Sequence, residues 1–408
     1  MNRRVVVTGM GAVSPLGSTL DETFASLKAA KNFVVYMKEW DKYKGLHTRL
    51  ASPIIGFKAP EHYGRKQTRS MGRTAMLAVR SAELALEDAS LLGSKELEDG
   101  SCGVAYGSSS GSIDAIYDFY SVIKSNEVSG VTSSTYIKMM SHTSPVNISV
   151  FFKLKGRLIP TGTACTSGSL GVGYAYEAIK YGHQTIMLAG GSEELDPTQS
   201  VVFDTLFATS TMNDAPHATP RPYDRDRDGL VIGEGAATLV LEEFEHARAR
   251  GAKIYAEIVG FGTNTDGAHI TQPESETMAV ALKLSLECAK ISPDAIGYVN
   301  GHGTATKQGD EAETKAVRSI FNRSVPISSQ KSYIGHSLGA CGALEAAASI
   351  LMLNKRWFAP TLNLENVDPE CAELDYIVGS GANIDTEYCM SNNFAFGGIN
   401  TSLIFKKL

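Results

Sequence analysis

Short β-branched runs alternate with helical periods along the whole chain, and glycine-rich turns separate them. The candidate strands are Val5–Thr8, Gly103–Tyr106, Thr185–Ala189, Ala237–Leu241, Ile254–Val259, Ile296–Asn300, Val325–Ser328 and Thr401–Phe405. Helical periods lie at Arg69–Leu91, Ser275–Ile291, Asp310–Phe321 and Leu338–Leu353. This alternation predicts an α/β architecture with sheets covered on both faces. The chain has 408 residues, enough for two domains or for two halves of one large core. No low-complexity linker divides it. The charged helical stretch Glu242–Lys253, with Gly251 near its end, is the predicted seam, giving residues 1–250 and 251–408. Each half carries a helix opened by small residues, at Thr166–Gly173 and at His336–Ala343. A thiol stands at the start of one and an imidazole at the start of the other, which suggests a duplicated βα unit whose reactive ends face each other.

Composition removes several classes of function. Charged residues make up 20% of the chain and apolar residues 43%, the balance of a soluble globular protein. No apolar run approaches the roughly 20 residues of a membrane span. The stretch after Arg3-Arg4 is too short for a signal peptide and reads as a strand entering a glycine turn. A net charge of −6 opposes nucleic acid, anionic membranes and acidic proteins, unless a local basic patch such as Arg65–Arg73 intervenes. By default that patch is a solvated helix end. The six cysteines show no CxxC pairing or regular spacing, which predicts a reducing, cytoplasmic compartment with neither a zinc site nor a disulfide framework.

Cys165 lies in Thr163-Ala164-Cys165-Thr166-Ser167-Gly168, at the first turn of a small-residue helix. Unpaired N–H groups and the positive end of the helix dipole there should lower its pKa and make it nucleophilic. A lone cysteine is more often a small buried hydrophobe, so its company matters. Gly301-His302-Gly303-Thr304-Ala305-Thr306 follows the apolar strand Ile296–Val299 and places His302 at a strand end between two glycines. Ser328 to His336 repeats the pattern, with a buried-looking Lys331 and then His336 at a helix start. A helix N-terminus disfavours imidazolium, so His336 should stay neutral and donate a hydrogen bond. A thiol and two such histidines form a nucleophile with two polarising donors. Asn392–Asn400 contains Phe394-Ala395-Phe396-Gly397-Gly398, either a turn whose N–H groups face a ligand or a bulge carrying core aromatics.

Two other patterns are set aside. Gly107-Ser108-Ser109-Ser110-Gly111 matches the nucleophile elbow of serine hydrolases, but no acid and histidine stand out as partners. Asp224-Arg225-Asp226-Arg227-Asp228-Gly229 begins like a calcium loop. Its twelfth position is Gly235, and two arginines offset the carboxylates, so an ion-paired turn is predicted.

Taken together and in this order, these motifs resemble those of the elongating, type II β-ketoacyl-acyl-carrier-protein synthases, from Arg4–Gly11 to Phe396–Phe405. The resemblance implies the thiolase fold, with duplicated βα halves in five αβαβα layers. The half 1–250 would carry the nucleophile and the half 251–408 the two histidines. Cys165 would hold the acyl chain as a thioester. His302 and His336 would polarise the malonyl thioester and promote its decarboxylation. The N–H groups of Cys165 and Phe396 would form the oxyanion hole, and Phe396 would gate the tunnel that Phe394 also borders. Lys331 with Glu345 would hold the histidine end. Thr304 and Thr306 would bind the phosphopantetheine arm, and Lys66 and Arg69 would contact an acidic acyl carrier protein. Members are usually dimers, here with itself or with a homologue, and no cofactor or metal is implied.

The chain departs from the family pattern at Gly301 (usually Ala), Ala395 (usually Gly) and Ile399 (usually Thr). Ser110 stands where a bulky residue would limit the acyl pocket, which implies room for a longer or stiffer chain. Trp40–Ala51 looks closer to relatives in polyene or polyketide clusters than to housekeeping fatty-acid enzymes. A thiolase would carry a second cysteine in the C-terminal glycine turn, whereas here Cys389 lies upstream of it. A non-catalytic partner of the chain-length-factor type would typically lose the nucleophile, and Cys165 is present.

Overall fold

A computed structural model describes residues 2–408. The central sheet contains eleven strands: β1 (Val5–Val13), β2 (Cys102–Gly107), β3 (Leu158–Pro160), β4 (Ile186–Glu193), β5 (Gly235–Glu243), β6 (Ala256–Thr265), β7 (Ile296–Asn300), β8 (Pro326–Ser328), β9 (Asp375–Tyr376), β10 (Tyr388–Ala395) and β11 (Ile399–Lys406). Their spatial order is β9-β8-β7-β10-β11-β6-β1-β5-β4-β2-β3. Counted outward from the seam, the first half runs β1, β5, β4, β2, β3. The second runs β6, β11, β10, β7, β8 in the same order, with β9 added at its outer edge. Directions repeat as well: two antiparallel pairs are followed by two parallel pairs in each half. The suspected duplication is therefore present in the topology.

The two halves meet where Val5–Val7 of β1 pair with Ala256–Ile258 of β6. Among the described residues, the six longest helices are α1 (Arg73–Asp88), α2 (Ile113–Ser125), α3 (Ser167–Lys180), α4 (Ser275–Ala289), α5 (Lys307–Phe321) and α6 (Cys341–Lys355). α1 packs on β1 and β5, and α4 packs on β6 and β11. α3 and α6 lie between the halves, with α6 touching both β5 and β10. Their near-complete burial explains why they are built from Gly, Ala and Ser. A Cβ on Gly168 would sit 2.8 Å from the backbone N of Ala343, and one on Gly342 would sit 2.7 Å from that of Ser169. Only glycine lets these two helix starts touch backbone to backbone.

Sequence patterning misplaced some boundaries for identifiable reasons. The predicted helix Arg69–Leu91 is broken: Arg65–Thr68 forms one turn, and α1 begins only at Arg73. The basic patch divides there, because Arg73 folds back onto Glu234 at 2.7 Å while Lys66 and Arg69 face solvent. The apolar strand expected before Asn392 is β10, which runs on through Asn392 and Asn393 to Ala395; Ser391, Asn392 and Asn393 interrupt its apolar run, although all three are buried. Among the described residues, no helix is long and apolar enough to cross a membrane.

Candidate active site

Matching elbows aim both halves at one point. Ala164, just before Cys165, has φ +51°, and a single 3₁₀ turn (Ala164–Thr166) leads into α3. In the second half Leu338, two residues after His336, has φ +44°, and a 3₁₀ turn (Leu338–Ala340) leads into α6. Non-glycine residues in the left-handed region cost about 1–3 kcal/mol each, and such strain persists only where packing over-determines it. The close contact of α3 and α6 supplies that packing.

Here Nε2 of His336 lies 3.0 Å from Sγ of Cys165. The rings of His302 and His336 meet edge to face, with centroids 5.1 Å apart. The thiol and one nitrogen from each imidazole all lie within 4.8 Å of one another. The backbone N–H groups of Phe396 and of Cys165 itself both reach the sulfur. Phe396 begins the turn between β10 and β11, where Gly397 (φ +88°) and Gly398 (φ +70°) adopt conformations that suit glycine. Of the two readings left open for this segment, the structure shows a tight turn, whose Gly397 and Gly398 N–H groups bond the carbonyls of Ile270 and Ala395.

Burial sets the protonation states, and one expectation from the sequence is corrected. Cys165 is not acidified: burial pushes its thiol up to about 12, outweighing Lys331 and the two N–H groups. At neutral pH the sulfur keeps its proton, so any reaction must pass it to His336. Both histidines lie well below their ordinary pKa, as expected for His336, but burial is the larger cause and Lys331 the next. They are neutral donors and acceptors.

Lys331 decides which nitrogen of His302 carries the proton. Its ammonium lies 3.1 Å from Nδ1 of His302 and contacts the Glu345 carboxylate on its other side. Burial works against that charge, but Glu345, together with Cys341 and Glu313, outweighs it and keeps Lys331 protonated. The Asn393 amide also approaches Nδ1, at 3.3 Å, and bonds Glu345 at 2.7 Å. With donors on Nδ1, His302 presents Nε2–H to the cavity. That proton leaves no lone pair on Nε2 for a metal, although the thiol and two imidazoles have metal-ligand spacing. Nδ1 of His336 is buried without a partner, so no neighbour fixes its tautomer.

Thr304 and Thr306 line the 440 Å³ cavity that opens onto Cys165, as do Phe394 and Phe396. The thiol itself sits in an apolar cluster with Phe203, Leu230, Ile232 and Leu338. Lys331 and Glu345 lie behind the histidines rather than in the cavity. Ser110 is not among the residues lining this cavity. Its buried hydroxyl has no hydrogen-bond partner. Lys66 and Arg69 also lie outside the lining. The Asp224 turn is ion-paired as predicted, with Arg221 on Asp224 at 3.0 Å and the fully buried Arg227 beside Asp310 and Asp368.

Motif reading missed two carboxylates. Glu313 accepts from the N–H groups of His302 (2.6 Å) and Gly303 (2.7 Å), and burial raises it to about 7. Glu193, at the end of β4, accepts from the N–H groups of Ser109 (2.8 Å) and Gly339 (3.0 Å), and burial raises it likewise to about 7. Glu313 follows Asp310 by three residues on the apolar face of α5, and an acid on a buried face was the available signal.

A thiol facing two neutral imidazoles between duplicated α/β halves defines a condensing enzyme of the thiolase fold. The chain belongs to the β-ketoacyl synthase family: the N-terminal domain of that family matches residues 2–247 and the C-terminal domain residues 255–365. It is 38% identical to the 3-oxoacyl-[acyl-carrier-protein] synthase 2 of Vibrio harveyi, over 100% of this chain and 99% of that protein. A β-ketoacyl synthase structure from Burkholderia phymatum superposes with a TM-score of 0.98 at 60% identity, covering 100% of both chains. The ishigamide ketosynthase/chain length factor superposes with a TM-score of 0.90 at 29% identity, again over 100% of both chains.

Proposed function

We propose that the protein joins an acyl chain on Cys165 to malonyl-acyl-carrier protein by decarboxylative Claisen condensation, releasing 3-ketoacyl-carrier protein. The observation that carries this reading is the convergence of the Cys165 thiol, two neutral imidazoles and two backbone N–H groups at one point. In the first half-reaction His336 takes the thiol proton on Nε2 as the sulfur attacks the acyl thioester, and returns it to the departing pantetheine thiol. In the second, Nε2–H of His302 and His336 bind the malonyl thioester oxygen and stabilise the enolate left when CO₂ departs. The enolate carbon attacks the Cys165 thioester. The N–H groups of Cys165 and Phe396 hold the oxyanion until the Cys165 thiolate leaves and takes up a proton that enters from solvent through Nε2 of His336. His336 must serve as acceptor and then as donor, so between the half-reactions its proton passes from Nδ1 to Nε2 by exchange with solvent; no hydrogen bond on Nδ1 holds the first tautomer. His302, held by Lys331, only donates.

In this reading Thr304 and Thr306 bind the phosphopantetheine arm, Phe396 screens the thioester from water, and exposed Lys66 and Arg69 meet the acidic carrier protein. The protein acts in the cytoplasm as a dimer, formed along the unpaired edge of β3 and the apolar face of α2, where Tyr117 is 67% and Ile123 76% exposed. The halves 1–250 and 251–408 supply the nucleophile and the two histidines respectively. A non-catalytic partner subunit is the second reading, and the assembled thiol and imidazoles weigh against it.

Intact-protein and product mass spectrometry tests the assignment, with acyl-carrier donors of several lengths, malonyl carrier, and Cys165→Ala as the control. A thioester adduct and a 3-keto product two carbons longer, both lost in the variant, are expected. No adduct on wild-type protein with any donor would sink the enzyme reading.

A further inference from the structure

The loop that carries His302 has glycine on both sides, and one phenol fills the space those glycines leave. Tyr223 is fully buried, and its backbone adopts φ +67°. A Cβ on Gly301 would sit 2.1 Å from the Tyr223 hydroxyl oxygen, and one on Gly303 would sit 2.6 Å from it. The hydroxyl therefore stands where a methyl at 301 would go. It donates to Glu313 Oε2 at 3.4 Å, the oxygen that also accepts from the Gly303 N–H at 2.7 Å. The other Glu313 oxygen accepts from the N–H of His302. At its other end, the Tyr223 N–H donates to Asp310 Oδ2 at 2.8 Å. The second Asp310 oxygen accepts from the N–H groups of Thr304 and Ala305. One tyrosine thus reaches both carboxylates that grip the His302 loop.

From this geometry we infer that Tyr223 and Gly301 are a matched pair that positions His302. The hydroxyl replaces an alanine methyl sterically and supplies Glu313 with a third donor. Tyr223 acts through Glu313 and the loop, and it touches neither imidazole nor substrate. The inference rests on the donor role proposed for His302 and goes beyond it by naming what sets the position of that donor. Burial keeps the phenol protonated, well above its ordinary range, so it remains a donor at working pH. A phenylalanine at 223 would remove the donor and leave a void. An alanine at 301 would collide with the hydroxyl. Made together, the two changes fill the space with carbon, and only the donor to Glu313 is lost.

The test is a double-mutant cycle on the full-length protein with Tyr223→Phe, Gly301→Ala and both together. Malonyl-carrier decarboxylation and Cys165 acylation are followed separately, and thermal melting reports packing. Tyr223→Phe should slow decarboxylation about tenfold, the scale of a hydrogen bond to a charged group, and change acylation less than about twofold. Gly301→Ala alone should slow decarboxylation further and lower the melting temperature by about 5 °C or more. The double variant should recover to the level of Tyr223→Phe in both readouts. A double variant no better than Gly301→Ala would overturn the pairing. Equal slowing of acylation and decarboxylation by Tyr223→Phe would overturn the positioning of His302. If wild-type protein neither acylates nor decarboxylates, the proposed function fails, while the melting cycle still decides whether the pair exists.

Discussion

The ammonium of Lys331 lies 3.1 Å from Nδ1 of His302, with Glu345 on its other side. A buried cation normally destabilises a fold unless it is paired, and here the pair also fixes which face of an imidazole can donate. The protein holds charge in its core to orient a neutral group, and that arrangement can be tested directly.

Replacing Lys331 by Met leaves Glu345 buried without its cation and removes the main donor on Nδ1. The variant should lose about 3–5 kcal/mol of stability and most of its malonyl decarboxylation. Adding Glu345→Gln should restore part of the stability without restoring the rate. Chemical denaturation and CO₂ release measure the two effects.

Glu313 should give the decarboxylation rate a pH dependence. Burial raises this carboxyl to about 7; the N–H groups of Gly303 and His302 and the charge of Lys331 oppose the shift, and Asp310 adds to it. When ionised it offers both oxygens to the His302 loop, and protonation removes acceptor capacity. The rate should therefore rise through pH 7 in wild type. Glu313→Gln should be slow and should lack that inflection in a rate profile from pH 5.5 to 8.5.

Stability should move the other way in the same window. A carboxyl whose folded pKa is raised, such as Glu193 at about 7, binds its proton more tightly in the folded state. Its contribution is full below the unfolded value near 4.5 and is lost as pH rises through 7. Glu193→Gln keeps the shape and cannot ionise. The melting temperature of the variant should gain on that of wild type between pH 6 and pH 8, and a constant difference would refute the linkage.

Phe396 contributes its backbone N–H to the sulfur and its side chain to the cavity wall, with Phe203 at 5.0 Å between centroids. Phe396→Ala retains the N–H but opens the wall. Acyl transfer should fall less than about threefold, while hydrolysis of the Cys165 thioester should rise severalfold. Single-turnover mass spectrometry separates the two.

The proposed dimer through α2 predicts that Tyr117→Asp with Ile123→Asp yields monomers by sedimentation. Charges placed on that exposed apolar face would have to be desolvated on association.

Much of the fold and of the site was legible in the sequence, because local chemistry carried it. β-branched runs located most strands. Glycines flanking His302 and small residues after Cys165 and His336 marked the places where backbone must bend or approach closely, and those signals need no knowledge of distant residues. The alternation of strands with helices gave the α/β class, and the repeated small-residue helix start gave the duplication. β10 was legible only up to its polar segment: Ser391 and Asn393 meet Asn300 and Glu345, partners that only the folded chain supplies. Tertiary structure alone decided the protonation of Cys165, since the helix start argues for a low pKa and burial outweighs it. It also decided which nitrogen of His302 is protonated, because Lys331 and Asn393 arrive from other elements. Glu193, Glu313 and Tyr223 joined the site in the same way. A buried polar group must find partners, and where those partners stand is settled when distant strands and helices pack.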